Sequence, residues 1–278
     1  MSEDIYTPYE EGEWKKRFEM TIPILLLILV LVVVGWKTGA LEQIPFINMF
    51  FKGPTDILII GYDANLIREM DTNIKTDLPV NYIVRDKSYL ENASNCQFVN
   101  DYDAIILTEG QDGDTIALPR FALECIRDGV NSGKTAIVIK RAGSEVTGSS
   151  QEDGWGSGNL GFVPVISRMG VGQPFTNERS YDSITLMIRD PTNSILQNFK
   201  DQPLTFTSQG QSSQIEYTEV NPTGGGVSIL DMKVDYGAES ITERAMVESN
   251  SLGHRVIYFT FDPTLYPPLL YNTIKSIS

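Results

Sequence analysis

Seventeen consecutive residues, Met20–Trp36 (MTIPILLLILVLVVVGW), carry no charge. This run constrains the chain more than any other feature. It is apolar on all sides, so it cannot be an amphipathic helix lying on a core, and it is just long enough to span a bilayer. Trp36 suits the interface, and Lys37 can snorkel out of it, so the expected transmembrane helix is 20–37. A buried core helix and a cleaved signal peptide ending near Thr38-Gly39-Ala40 are the alternatives. An acid-rich leader of nineteen residues fits an uncleaved anchor better. Lys15-Lys16-Arg17 precedes the run and Lys37 alone follows it. The positive-inside rule therefore places the tail 1–19 in the cytoplasm and the remainder outside it.

The formal net charge of the 278 residues is −14. Six acids and three bases in residues 1–19 give −3, which leaves −11 for the rest. No basic stripe interrupts this acidity, and a phosphate backbone would be repelled, so no nucleic-acid partner is expected. The expected partners are the lipid bilayer, through 20–37, and other membrane protein subunits. The connector 38–54 supplies an apolar surface for the latter, with Phe46, Phe50 and Phe51 beside Trp36 as candidate membrane or partner contacts.

From residue 55 the pattern changes. Short apolar runs predict strands at Asp56–Gly61, Asn81–Arg85, Tyr102–Leu107, Thr135–Ile139 and Arg255–Thr260. Helical stretches lie between them, at Ala64–Met70, within the polar segment Lys87–Asn95, and at Leu118–Val130. A closing helix is expected within Leu265–Ile277. In Leu118–Val130 the residues Leu118, Phe121, Ala122, Cys125, Ile126 and Val130 form one apolar face. The alternation implies an α/β fold with a doubly wound, mainly parallel sheet. A β-rich insertion of about 155–240 interrupts it, with short strands at Phe162–Ile166, Ser183–Ile188, Leu204–Phe206, Ile215–Val220 and Val227–Leu230.

The tripeptide Gly133-Lys134-Thr135 looks like the end of a phosphate-binding loop. Only three residues separate Gly129 from Gly133, where that loop needs four, and a helix precedes it where a strand should. A helix C-cap and a tight turn into the next strand explain it better.

The runs DILIIG (56–61), YDAIILTEG (102–110) and DGVNSGKTAIVIKRAGS (128–144), with AMVESNSLGHRVIYFTFDP (245–263) and LLYNTIKSI (269–277), resemble the class I glutamine amidotransferase-like fold. They resemble its trehalose-utilisation (ThuA-like) relatives in particular. The likeness covers roughly 56–150 and 245–277 and implies a flavodoxin-like arrangement of strands. It also implies a cysteine nucleophile on the turn after the fourth strand, activated by a His-x-Glu pair. Here Lys140 and Arg141 stand at that turn, neither Cys96 nor Cys125 lies there, and the lone histidine, His254, does not match the pair. The resemblance thus implies a family fold without the family's catalytic residues.

Lys140 could act as a nucleophile if burial depressed its pKa. The simpler expectation is a Lys140/Arg141–carboxylate network with Glu109, Asp112 or Asp114 from the neighbouring acidic loop (108–114). A second acidic, glycine-rich loop (149–159) holds Trp155, which either anchors a partner or sugar or fills its own core. The candidate ligand- or partner-binding set is therefore Glu109, Asp112, Asp114, Lys140, Arg141 and Trp155. No calcium-loop spacing occurs, so no metal and no cofactor are expected. Cys96 and Cys125 can pair outside the cytoplasm or remain buried thiols. Asn92-Ala93-Ser94 is a glycosylation sequon. The function expected is that of a non-catalytic, membrane-anchored binding or scaffolding subunit of a membrane or envelope complex. The alternative is an extracytoplasmic enzyme or sensor acting on carbohydrate or amide ligands.

Overall fold

A computed structural model describes residues 53–278 apart from 111–112, 156–159, 169–174, 200–203, 208–212 and 252–253. The expected span 20–37, the connector 38–54 up to residue 52, and with them Trp36, Phe46, Phe50 and Phe51, lie outside the described residues. Among those described, no helix is long and apolar enough to cross a membrane.

In chain order the elements are β1 (Thr55–Ile60), α1 (Ala64–Glu69), β2 (Val80–Arg85), α2 (Lys87–Glu91), α3 (Gln97–Asn100), β3 (Ala104–Leu107), β4 (Ala117–Leu118), α4 (Arg120–Asn131) and β5 (Thr135–Ile139). The next are β6 (Glu145–Val146), β7 (Ser149–Asp153), β8 (Val165–Ser167), β9 (Phe175–Tyr181), β10 (Ser183–Ile188) and β11 (Leu204–Thr207). The chain closes with β12 (Ser213–Pro222), β13 (Val227–Tyr236), β14 (Glu239–Ser251), β15 (His254–Phe259) and α5 (Pro267–Lys275). After α1 the chain continues through a wider turn of π-helix, Met70–Ile74, and a last helical turn, Lys75–Asp77.

Nine strands make the main sheet, in the order β11-β10-β13-β14-β15-β5-β3-β1-β2. The run β2-β1-β3-β5-β15 is parallel throughout. It is the 2-1-3-4-5 order of flavodoxin-like sheets when the strands of that run are counted in sequence. Its inner strands β1, β3 and β5 are apolar on both faces because helices cover both. Ile57 and Ile59 point to one side, with Leu66, Met70 and Ile74 and with Leu269, Leu270 and Ile274 of α5. Leu58 and Ile60 point to the other, with Leu90 of α2, Phe98 and Val99 of α3 and most of α4.

The β-rich region of about 155–240 supplies β10, β11 and β13 to the main sheet, which they join through β14, all antiparallel, so the sheet has an antiparallel wing beside its parallel half. The long strand β14 is absent from the expected elements because its centre, TERAMVES, groups its charged and apolar residues in blocks instead of alternating them, and so gives no period-2 signal. In α4, Phe121 is exposed (41%) and Leu123 is buried in its place, so the apolar face is rotated from the expected one. Leu118 belongs to β4 and not to the helix.

Cys96 and Cys125 form a disulfide that joins the N-terminal end of α3 to the middle of α4. The Gly133 turn is a helix terminus, as the spacing implied. Gly133 has φ +101°, its N–H donates to Val130 O at 2.9 Å, and the Lys134 ammonium donates to the carbonyls of Asn100 (3.0 Å) and Tyr102. A phosphate site at this end of β5 is excluded, since the lysine is already committed to the main chain.

Candidate functional site

In open α/β sheets, ligands gather beyond the carboxyl ends of the strands, where the strand order reverses. Here that edge is formed by the turns after β1, β3, β5 and β15. Gly61 opens the first turn at φ +103° and lies so close to Thr108 O that a Cβ would sit 2.2 Å from it, so only glycine fits. Asp63 follows and caps α1, accepting from Asn65 N (2.9 Å) and Leu66 N (3.1 Å). It also accepts from Thr108 Oγ1 of the β3 turn at 3.4 Å.

Lys140 ends β5. Its φ of +53° makes it the one non-glycine residue with left-handed backbone among the described residues. That conformation is held by its N–H donating to Phe259 O of β15 at 2.8 Å. The side chain is 14% exposed, and its ammonium meets Glu109 Oε2 at 3.0 Å and Glu216 Oε2 of β12. Glu109 is itself 9% exposed and accepts from the Arg141 N–H at 2.7 Å, with the guanidinium Nε at 3.5 Å. Burial acts to lower the Lys140 pKa, but the two carboxylates outweigh it and hold the pKa above the usual lysine value. Two cations and two carboxylates therefore close on one another.

Glu216 comes from the small sheet β8-β12-β9, which folds over the carboxyl end of β15. A bridge between Tyr217 and Phe261 and the Thr218 N–H to Thr260 O bond (2.8 Å) fasten it there. Beneath, the fully buried Tyr258 hydroxyl shares a 2.8 Å hydrogen bond with Thr218 Oγ1, and burial drives its pKa far up. Asp262 caps the turn Pro263–Leu265, accepting from Thr264 N at 2.8 Å. Burial raises its pKa; the Thr264 hydrogen bonds oppose this, Asp63 adds to it, and Lys140 works against it.

Of the residues singled out from sequence, the fold brings Glu109, Lys140 and Arg141 together. Asp114 is exposed and lies against Gly110, outside the Lys140 pair, and Asp112 lies outside the described residues. Trp155 is fully buried. Its indole N–H donates to Ala142 O, and its ring packs edge-on against Tyr258 with centroids 5.4 Å apart. Of its two expected roles it takes the inner one, supporting the Lys140–Gly143 turn from below. Glu216, Asp63, Asp262 and Tyr258 were not among the candidates. For Glu216 the one sequence signal was alternation: it stands between Ile215 and Tyr217, both buried.

His254 sits at the other end of β15, with Nδ1 2.8 Å from Val130 O. The five-residue step to Phe259 puts it about 16 Å from the carboxyl edge. Among the described residues no free cysteine occurs and no cluster of His, Cys, Asp or Glu is arranged to hold a metal ion.

No family model matches the sequence, and no curated protein matches it. Solved structures do. A cold-adapted β-galactosidase from Rahnella sp. R3 matches 81% of this chain at 11% identity with a TM-score of 0.50. The chain spans 31% of that enzyme's length. This likeness is one of fold. A putative GMP synthase component from Thermoplasma acidophilum (10% identity, 80% of this chain and 94% of that one, TM-score 0.43) is similar at a lower level. So is PurLQS from Thermotoga maritima (10%, 81% and 100%, 0.44).

Proposed function

We propose that this chain is a membrane-anchored, non-catalytic binding or scaffolding subunit whose amidotransferase-like, ThuA-related domain stands outside the cytoplasm. One observation carries the reading. The strand-end position where such a fold needs a nucleophile holds Lys140, and its ammonium is fixed between Glu109 and Glu216 with a raised pKa. A protonated amine has no lone pair to offer, and nucleophilic lysines need the opposite shift. The histidine that would serve as a base lies at the far end of β15. The Cys96–Cys125 disulfide supports an oxidising compartment, and the uncharged run Met20–Trp36 supports the anchor.

The test uses the full chain in its own membrane. The chain should survive carbonate washing, its domain should resist protease added from the cytoplasmic side, and other membrane chains should co-purify with it in mild detergent. Phe50→Asp with Phe51→Asp should weaken that association. A lone monomer in several mild detergents, unaffected by the double change, overturns the assembly role. Release of a chain beginning near Leu41 overturns the anchor.

A second reading, an enzyme acting on carbohydrate or amide ligands, is favoured by the neighbouring Asp63 and Asp262, since burial favours the protonated form of Asp262. Carboxyl groups in unlike environments can divide acid and base roles. It requires a turnover that Asp262→Asn abolishes while the fold persists.

A further inference from the structure

We infer that Asn92 is the acceptor of an N-linked glycan, carried on the link between α2 and α3. The inference rests on the extracytoplasmic placement proposed above. The sequence contains two Asn-x-Ser/Thr tripeptides, Asn92-Ala93-Ser94 and Asn221-Pro222-Thr223. Proline at the middle position disqualifies the second. That tripeptide is also committed to the fold, with Asn221 paired to Ile166 in the β12–β8 ladder.

The first is built differently. Asn92 ends α2 as its C-cap, and residues 93–96 form an irregular connection to α3. Both the Asn92 and Ser94 side chains are exposed, whereas Leu90 before them and Phe98 and Val99 after them are buried. The acceptor amide and the hydroxyl two residues on, the pair an oligosaccharide transferase must engage, therefore stand on the surface while their flanks are pinned in the core. The Cys96–Cys125 disulfide begins two residues beyond Ser94. It fixes the link against α4 and needs the kind of oxidising compartment in which such transfer takes place.

The chemistry fits the local hydrogen bonding. The co-reactant is a lipid-linked oligosaccharyl phosphate or pyrophosphate. The Asn92 amide nitrogen attacks the anomeric carbon and a new N–C bond forms. The C–O bond to the lipid phosphate breaks, the leaving group departs with the electron pair, and one amide proton passes to a base of the transferase. One N–H remains on the nitrogen. Asn92 Nδ2 donates to Ser88 O at 2.7 Å in the fold, and this single bond needs only that remaining hydrogen. The glycan and the helix cap are therefore compatible.

The experiment is glycopeptide mass spectrometry on the full chain taken from its own host's membrane, together with protease accessibility on intact cells or oriented vesicles. The expected result is a glycan mass on the peptide containing Asn92. It should be lost in Ser94→Ala, which leaves the Asn92–Ser88 cap intact, and kept in Ser94→Thr. A chain that protease reaches from outside but whose Asn92 peptide is unmodified overturns the inference and leaves the placement standing. A chain accessible only from the cytoplasmic side overturns the placement itself, and the inference with it. A glycan that persists in Ser94→Ala shows that another residue is the acceptor.

Discussion

Replacing Lys140 separates two opposed energies that the structure superimposes on one residue. Lys140→Ala deletes the ammonium that neutralises Glu109 and Glu216. Breaking a buried ion pair by removing one partner costs about 3–5 kcal/mol. The loss here is smaller, because Glu109 keeps the Arg141 N–H and guanidinium, and Glu216 is 36% exposed and regains water. Roughly 2–3 kcal/mol is expected on that basis. Lys140→Gly loses the same pair but also removes the cost of a left-handed β-carbon, about 1–2 kcal/mol. Its looser unfolded chain takes back about 0.4–1 kcal/mol. Both variants should therefore be less stable than the parent, with glycine above alanine by about 0.5–1 kcal/mol. Urea unfolding of the full chain in detergent measures this, with the buried Trp155 under the turn as a fluorescent reporter. An alanine variant as stable as the parent would refute the claim that the pair contributes to stability. A glycine variant less stable than alanine would refute the strain argument.

The disulfide closes a segment of 29 residues, for which the chain-entropy relation gives about 3.6 kcal/mol. Reductant, or Cys96→Ser combined with Cys125→Ala, should lower the urea midpoint accordingly; an unchanged midpoint would mean that the link does not constrain the unfolded chain. Stability should also fall as pH rises above about 10, the ordinary tyrosine value. Folding raises the pKa values of Tyr258, of Tyr82 (to about 12) and of Lys140, so the unfolded state releases protons first and gains stability with each increment of pH. An alkaline unfolding series that is flat from pH 9 to 11 would contradict those environments.

The parallel half of the sheet was legible because its signal is local. Runs such as Ile57–Ile60 and Ala136–Ile139 are apolar on both faces, and such runs mean strands covered on both sides. The pairing of Lys140 with Glu109 followed from two adjacent turns on neighbouring strands. What could not be read depends on distant contacts. Nothing near Glu216 says that β12 folds back over β15, 76 residues beyond Lys140 in sequence. Asp63 and Asp262 look like ordinary cap residues until the sheet order brings their turns together. Phe121 and Leu123 differ by a rotation of one helix, which a periodic pattern with large apolar residues at both positions cannot fix. The disulfide was undecidable for the same reason, since two cysteines specify no geometry until α3 lies on α4.

The position of β15 has a consequence for biosynthesis. It is the shared strand, parallel to β5 on one side and antiparallel to β14 on the other, yet it ends only at Phe259 of 278 residues. Between Ile139 and Phe259 lie 120 positions (259 − 139), which at roughly 5–20 residues per second take on the order of 6–24 s to synthesise. Throughout that interval β5 presents a bare, apolar edge, the kind of strand that pairs with whatever chain it meets. Chains released early at Ser251 would lack the strand that unites the two halves, and each half would be left with an unsatisfied edge. The six residues His254–Phe259 thus decide whether the whole sheet closes, and the two halves of a nascent chain must wait for them.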